Sequence, residues 1–230
     1  MVSLLRQVVF ASALAGLIAG SVQTLIQHWQ VIPLILQAET YEVETAPPNH
    51  QLEAAAPHDG DTSWTPQDGV ERTLFTSLAN IFIGIGFALV LSACFVLRGS
   101  IGWREGVLWG AAGFLAFSLA PALGLPPELP GAAAADLFAR QTWWLATVTA
   151  TAGGLALAAF GRSMPWRVVG ALIILAPHIV GAPHPTGDAG AVPPELAAHF
   201  AVSSLFSSAV FWLLIGGTSG YFFQHFAERD

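Results

Sequence analysis

Seven histidines and fifteen carboxylates carry most of the chemistry available to this chain, set against eight arginines and no lysine. Neutral imidazole combined with carboxylate suits borderline divalent ions such as Co²⁺, Ni²⁺ and Zn²⁺. Oxygen-only sites would suit Mg²⁺ or Ca²⁺ better. A single cysteine, Cys94, excludes an intramolecular disulfide and a thiolate cluster. The two methionines, Met1 and Met164, are too few for a thioether path for Cu(I).

The histidines are not equivalent. Glu195 and His199 stand four apart after Pro193-Pro194. Proline suits a first helical turn, and that spacing puts both side chains on one face, as a two-point metal clamp requires. A helix-start carboxylate beside an interfacial histidine accounts for the pair equally well. His184 lies between Pro183 and Pro185, which fix the backbone around it, and Asp188 follows closely. His178 is roughly 16 Å of helix beyond Arg167, near or just past a bilayer midplane. An ionisable group at that depth is expensive unless it faces the bundle interior, which makes His178 the intramembrane candidate. The competing reading is a polar residue bonded to a neighbouring helix, or one raised by unwinding at Pro177. His28 falls about 33 Å along a helix from Arg6, near the opposite interface. His50 and His58 read as solvated, His225 as an interfacial ring, and Asp136 with Arg140 as a surface ion pair.

The elements that must position these groups are apolar. Hydrophobic residues make up 54% of the chain and charged ones 10%, with mean hydropathy +0.61. A soluble domain carries about a quarter charged residues, so the fitting solvent is a bilayer. Crossing it takes about 20 apolar residues. Residues 8–27, 74–97, 106–125, 142–160, 168–182 and 200–223 qualify, the fifth being short. The first reads as a retained helix rather than a cleaved signal. The expected fold is therefore an all-α integral membrane protein, a single domain of six transmembrane helices, or five if the short stretch does not span. Residues 38–72 form an acidic, proline-rich outer loop, and 124–141 and 183–199 are further outer loops.

Arginine placement sets orientation. Arg6, Arg98, Arg104, Arg162, Arg167 and Arg229 fall on one side, and only Arg72 and Arg140 on the other. The first side is thus cytoplasmic, with both termini. All carboxylates but Glu105, Glu228 and Asp230 lie outside, with every histidine except His225. Gly16/Gly20, Gly106/Gly110 and Gly216/Gly220 each match G-x-x-x-G, which supports close helix packing. Arg98 to Arg104 and Arg162 to Arg167 begin a weak repeat. Each is followed by Ala-Pro, at Ala120-Pro121 and Ala176-Pro177, and then by Pro-Pro-Glu-Leu, ending at Leu129 and Leu196. In transporters, proline-interrupted segments in corresponding places mark a site; tight turns alone would favour the same residues. No G-x-x-x-x-G-K-[ST], H-E-x-x-H or G-x-S-x-G occurs, so no ATP hydrolysis or enzyme chemistry is expected. No basic patch suggests nucleic acid.

Phe10 to Gly20, Pro121 to Gly131, Arg140-Gln-Thr-Trp-Trp144 and Ala176-Pro-His-Ile-Val-Gly-Ala-Pro-His-Pro185 together resemble the CbtA family, the larger subunit of a predicted bacterial cobalt transporter. The resemblance covers nearly the whole chain. It implies cobalt uptake across the bacterial inner membrane and a small, single-span, histidine-bearing partner, CbtB. Ni²⁺ or another divalent ion stays open, as does a homo-oligomer, and no permanently bound cofactor is expected. On this reading outer carboxylates concentrate the cation, His184, Glu195, His199 and His28 receive it, and His178 passes it inward. Proton competition for imidazole predicts uptake that weakens below an outside pH of about 6. Two other classes fit the residues: a metal-binding sensor or assembly subunit without transport, and a haem or quinone membrane protein.

Overall fold

The computed structural model describes residues 2–45, 69–99, 101–185 and 190–228. Helix α1 (Val2–Ile26) passes through a π-helical turn (Gln27–Val31) into α2 (Ile32–Thr45). Helix α3 is Val70–Arg98 and α4 is Trp103–Phe114. A second π-turn (Leu115–Leu119) leads from α4 into the short α5 (Ala120–Ala122). Then come α6 (Leu137–Phe160), α7 (Met164–Val180) and α8 (Pro194–Ala227). No strand occurs among the described residues. Five of these helical stretches are long and apolar enough to cross a membrane, and α7, at 17 residues, is a shorter sixth. The chain is a multi-pass helical membrane protein.

The closest helix pairs are antiparallel, while α3 and α8, both antiparallel to α1, run parallel to each other. Ser12 meets Ser92 and Thr24 meets Asn80, so α1 descends as α3 rises. Ser118, in the π-turn that follows α4, meets Ser208 on α8. Gln7 reaches Phe223, and Gln23 reaches Ser207, across α1 and α8. Trp143 reaches Pro177 across α6 and α7. This alternation gathers Arg6, Arg98, Arg104, Arg162 and Arg167 at one end of the bundle. Glu39, Glu128, Asp136 and Glu195 gather at the other. We call these the arginine end and the acidic end.

In lipid no hydrophobic force draws one apolar helix to another, so close packing must do it. The glycine pairs provide it. Gly16 and Gly20 lie against the α3 backbone at Ile85 and Ile81. Gly106 and Gly110 lie against α8 at Gly216, Gly220 and Trp212, and a Cβ on Gly106 would strike the Gly216 carbonyl. Gly154 and Gly170 bring α6 and α7 together in the same way. Helix α8 is central and packs on α1, α3 and α4, whereas α7 packs on α6. The bundle is thus a four-helix core with an attached hairpin.

Several expectations shift. The first helix continues through Thr45 into the stretch expected to be loop, and α3 already begins at Val70; residues 46–68 lie outside the described region. Arg72 on α3 bonds Glu39 on α2 at 3.1 Å and ties the extension down. Arg140 does not pair with Asp136. It binds Glu128 at 2.6 Å, while Asp136 caps α6 by accepting from the Ala139 amide at 2.9 Å. The two repeat-like hairpins occupy different places, since α4 packs on α8 and α7 on α6. Their Pro-Pro-Glu-Leu strings do converge. Leu129 and Leu196 enter one buried cluster at the acidic end with Val31, Leu34, Ala38 and Phe200.

Candidate functional site

The expected ligands occupy different parts of this frame. His178 sits in the last turn of α7, half-buried, with its ring edge-on to Trp143 at 5.8 Å. The Trp143 indole N–H donates to the Pro177 carbonyl at 3.2 Å, and the Gly181 amide shares that carbonyl at 3.0 Å. Gly181 ends the helix with φ +88°, a conformation open to glycine alone at little cost. His184 is exposed just beyond it. Glu195 and His199 are both exposed on the first turns of α8, and His28 is exposed in the π-turn after α1. Among the described residues no three of His, Cys, Asp or Glu come together as a metal group. His50, His58 and Asp188 fall outside the described residues. His225 stacks on Tyr221 at 5.9 Å near the arginine end.

The structure draws together a different set. A cavity of about 270 Å³ lies where α1, α3, α6, α8 and the second π-turn meet. Gln23, Asn80, Ser118 and Ser208 are its polar lining, and no lining residue carries a charge. Asn80 donates both amide hydrogens, to Thr24 Oγ1 at 3.1 Å and to Gln27 Oε1 at 2.7 Å. Its carbonyl oxygen is left without a protein partner among the described residues. Ser207 donates to Gln23 Oε1 at 3.1 Å, and the hydroxyls of Ser118 and Ser208 lie 2.7 Å apart. The remaining wall is largely aromatic. Phe87, Phe117 and Trp212 pack on one another at 4.7 to 5.4 Å between centroids, with Trp144 and Phe211 beside them.

Both π-turns touch this network, through Gln27 in the first and Ser118 in the second. Each ends two residues before a proline, Pro33 or Pro121. A proline lacks the amide that its turn would use, and its ring crowds the carbonyl four residues back. A widened turn relieves that crowding, and such bulges recur at functional sites. Toward the arginine end the bundle is sealed. Phe95, fully buried, packs edge-on to Trp109 at 6.0 Å and to Phe223 at 5.8 Å. The Gln7 amide closes the same layer by donating to the Phe223 carbonyl at 2.6 Å.

Sequence reasoning fixed on ionisable groups and passed over these neutral ones. The available signal was polar residues at helical spacing inside apolar spans: Gln23 with Gln27, and Ser203 and Ser204 with Ser207 and Ser208.

The family model of the probable cobalt transporter subunit, CbtA, matches residues 5–224. The chain belongs to the CbtA family. No curated protein and no solved structure matches it. Membership makes this CbtA chain a subunit of a cobalt transporter. A family of subunits implies partner proteins, and cobalt is its expected cargo. The uncharged, largely aromatic cavity and the exposed histidines at the acidic end are the two polar features of this CbtA protein described above.

Proposed function

We propose that this chain carries Co²⁺ inward across the bacterial inner membrane, with its acidic end facing outward and both termini in the cytoplasm. The observation that carries this reading is the separation of charge. Arg6, Arg98, Arg104, Arg162 and Arg167 gather at one end of the bundle, and Glu39, Glu128, Asp136 and Glu195, with every described histidine but His225, lie toward the other. Arginine-rich ends stay cytoplasmic. An acidic outer end raises the local concentration of divalent cations before any site is engaged.

His184, Glu195, His199 and His28 are the proposed capture ligands, all exposed in the described structure. Exposed ligands from separate segments suit a fast, weak first contact. His178 is proposed to take part in descent because its ring lies half-buried against Trp143. Ni²⁺ has the same ligand preferences and is a second cargo on chemical grounds. The partner is proposed to be a small single-span subunit of the CbtB kind, and its place follows from the cavity. Ile83 on α3 and Trp144 on α6 line the cavity and are 52% and 38% exposed. These two helices make no substantial interface with each other. Polar groups open to hydrocarbon are costly, so another helix must cover that side.

The test is radiolabelled Co²⁺ entry into cells producing the wild type, His178→Ala or His184→Ala, with the partner present. Uptake reduced several-fold by either substitution supports these ligands. Equal uptake by all three removes both histidines from the mechanism.

A further inference from the structure

The uncharged cavity is built for a particular form of the cargo, and this inference rests on the transport reading above. A divalent ion stripped of water needs anionic or imidazole ligands to offset its lost hydration. The cavity lining holds none: its polar members are two amides and two hydroxyls. Its volume of about 270 Å³ exceeds the roughly 180 Å³ that six waters occupy at about 30 Å³ each. The first-shell waters of a cation point their hydrogens outward, and hydrogens need acceptors. Asn80 presents a carbonyl oxygen whose own amide is already committed to Thr24 and Gln27. Ser118 and Ser208 add two hydroxyl oxygens 2.7 Å apart. Aromatic rings attract positive charge without removing its water, and Phe87, Phe117, Trp144, Phe211 and Trp212 line the cavity.

We infer that the cavity beside the second π-turn is a binding site for the hydrated divalent cation, contacted through its water shell by Asn80, Ser118 and Ser208 and lined by aromatic rings. Two consequences follow. The site cannot distinguish Co²⁺ from Ni²⁺ or Mg²⁺ by ligand softness, because no ligand touches the metal. Selection then belongs to the histidines and carboxylates of the acidic end. A neutral site that leaves the shell intact also releases its ion readily, as conduction through successive sites requires.

The experiment uses vesicles containing the full chain with its partner subunit and a trapped Co²⁺ indicator. The variants are Asn80→Leu, which removes the acceptor, and Ser208→Leu, which fills the cavity. Cobalt(III) hexaammine is the second probe. Its ammines do not exchange for protein ligands, so it can occupy only a site that reads an intact shell. Expected are Co²⁺ flux at least tenfold below wild type in both variants, unchanged Co²⁺ binding at the acidic end, and inhibition of wild-type flux by the hexaammine. Wild-type flux in both variants, or indifference of the wild type to the hexaammine, overturns this inference and leaves the transport reading standing. Absence of flux in the wild type overturns the transport reading and this inference with it. Should a leucine variant fail to accumulate, the double variant Ser118→Ala with Ser208→Ala carries the test. It removes both hydroxyls with little change in volume and is expected to lower flux several-fold; undiminished flux counts against the site.

Discussion

Arg140 leans away from Asp136 and binds Glu128 in the preceding loop, with the two side chains 30% and 24% exposed. Partial exposure screens the pair, so its stability contribution is below about 1 kcal/mol. Arg140→Ala should lower the melting temperature in detergent by no more than a few degrees. It also leaves Glu128 uncompensated at the acidic end. Calorimetric titration should then show Co²⁺ binding at that end tightened by several-fold, if carboxylates there capture the ion. Weakened binding would assign Arg140 the role of holding Glu128 in place. The i,i+4 rule pointed to the wrong partner for a local reason. Asp136 stands at the helix start, where its carboxylate satisfies the Ala139 amide. Placing that start at residue 142 hid the capping position.

At the scale of elements, the glycines near Gly106 set the distance between α4 and α8. A Cβ there meets the Gly216 carbonyl, whereas one on Gly86 meets nothing within 4 Å. Gly106→Val should therefore cost about 1–3 kcal/mol by overpacking. Gly86→Val should be nearly neutral, and thermal melts of both in detergent would compare them. Equal melting temperatures would mean that the α4–α8 contact does not limit stability. The spans were legible because apolar length is a strong signal. Residues 74–97 of the reading became Val70–Arg98, and 200–223 became Pro194–Ala227. The ends moved outward because helices persist beyond hydrocarbon wherever a partner holds them, as Arg72 holds Glu39. The π-turns were not legible. Pro33 and Pro121 marked a disturbance, but only the packing of Gln27 and Ser118 against neighbouring helices decides that it becomes a widened turn rather than a break.

For the whole molecule, the cavity and the seal lie in sequence along the bundle. Depth along α3 orders them: Asn80 lines the cavity, Ser92 bonds Ser12 below it, and Phe95 closes the layer with Trp109 and Phe223. The described conformation is thus closed toward the arginine end. On the uptake reading proposed above, inward release requires Phe95, Trp109 and Phe223 to part, and α8 carries both Phe223 and the cavity's Ser208. Orientation is directly testable in a Cys94→Ser background. A cysteine at exposed Ala198 should react with an impermeant maleimide added to intact cells, and one at exposed Glu105 only after the membrane is opened. The reverse pattern would turn the capture ligands toward the cytoplasm and end the uptake account.

The side opening between α3 and α6 makes a separate demand on the assembly. A cavity that holds the proposed hydrated ion between Ile83 and Trp144 cannot face acyl chains, because its amides and hydroxyls would be left to hydrocarbon. The partner's span is the proposed cover, and exposed positions on two helices discriminate. Ile83 is 52% exposed at the opening, and Ile179, 80% exposed, lies on α7 of the attached hairpin. With Cys94 replaced by serine, Ile83→Cys should cross-link to cysteines placed along the partner's span, and Ile179→Cys should not. Cross-linking at Ile179 alone would put the partner on the hairpin. The opening would then face lipid, and a hydrated ion could not be held where Asn80, Ser118 and Ser208 meet.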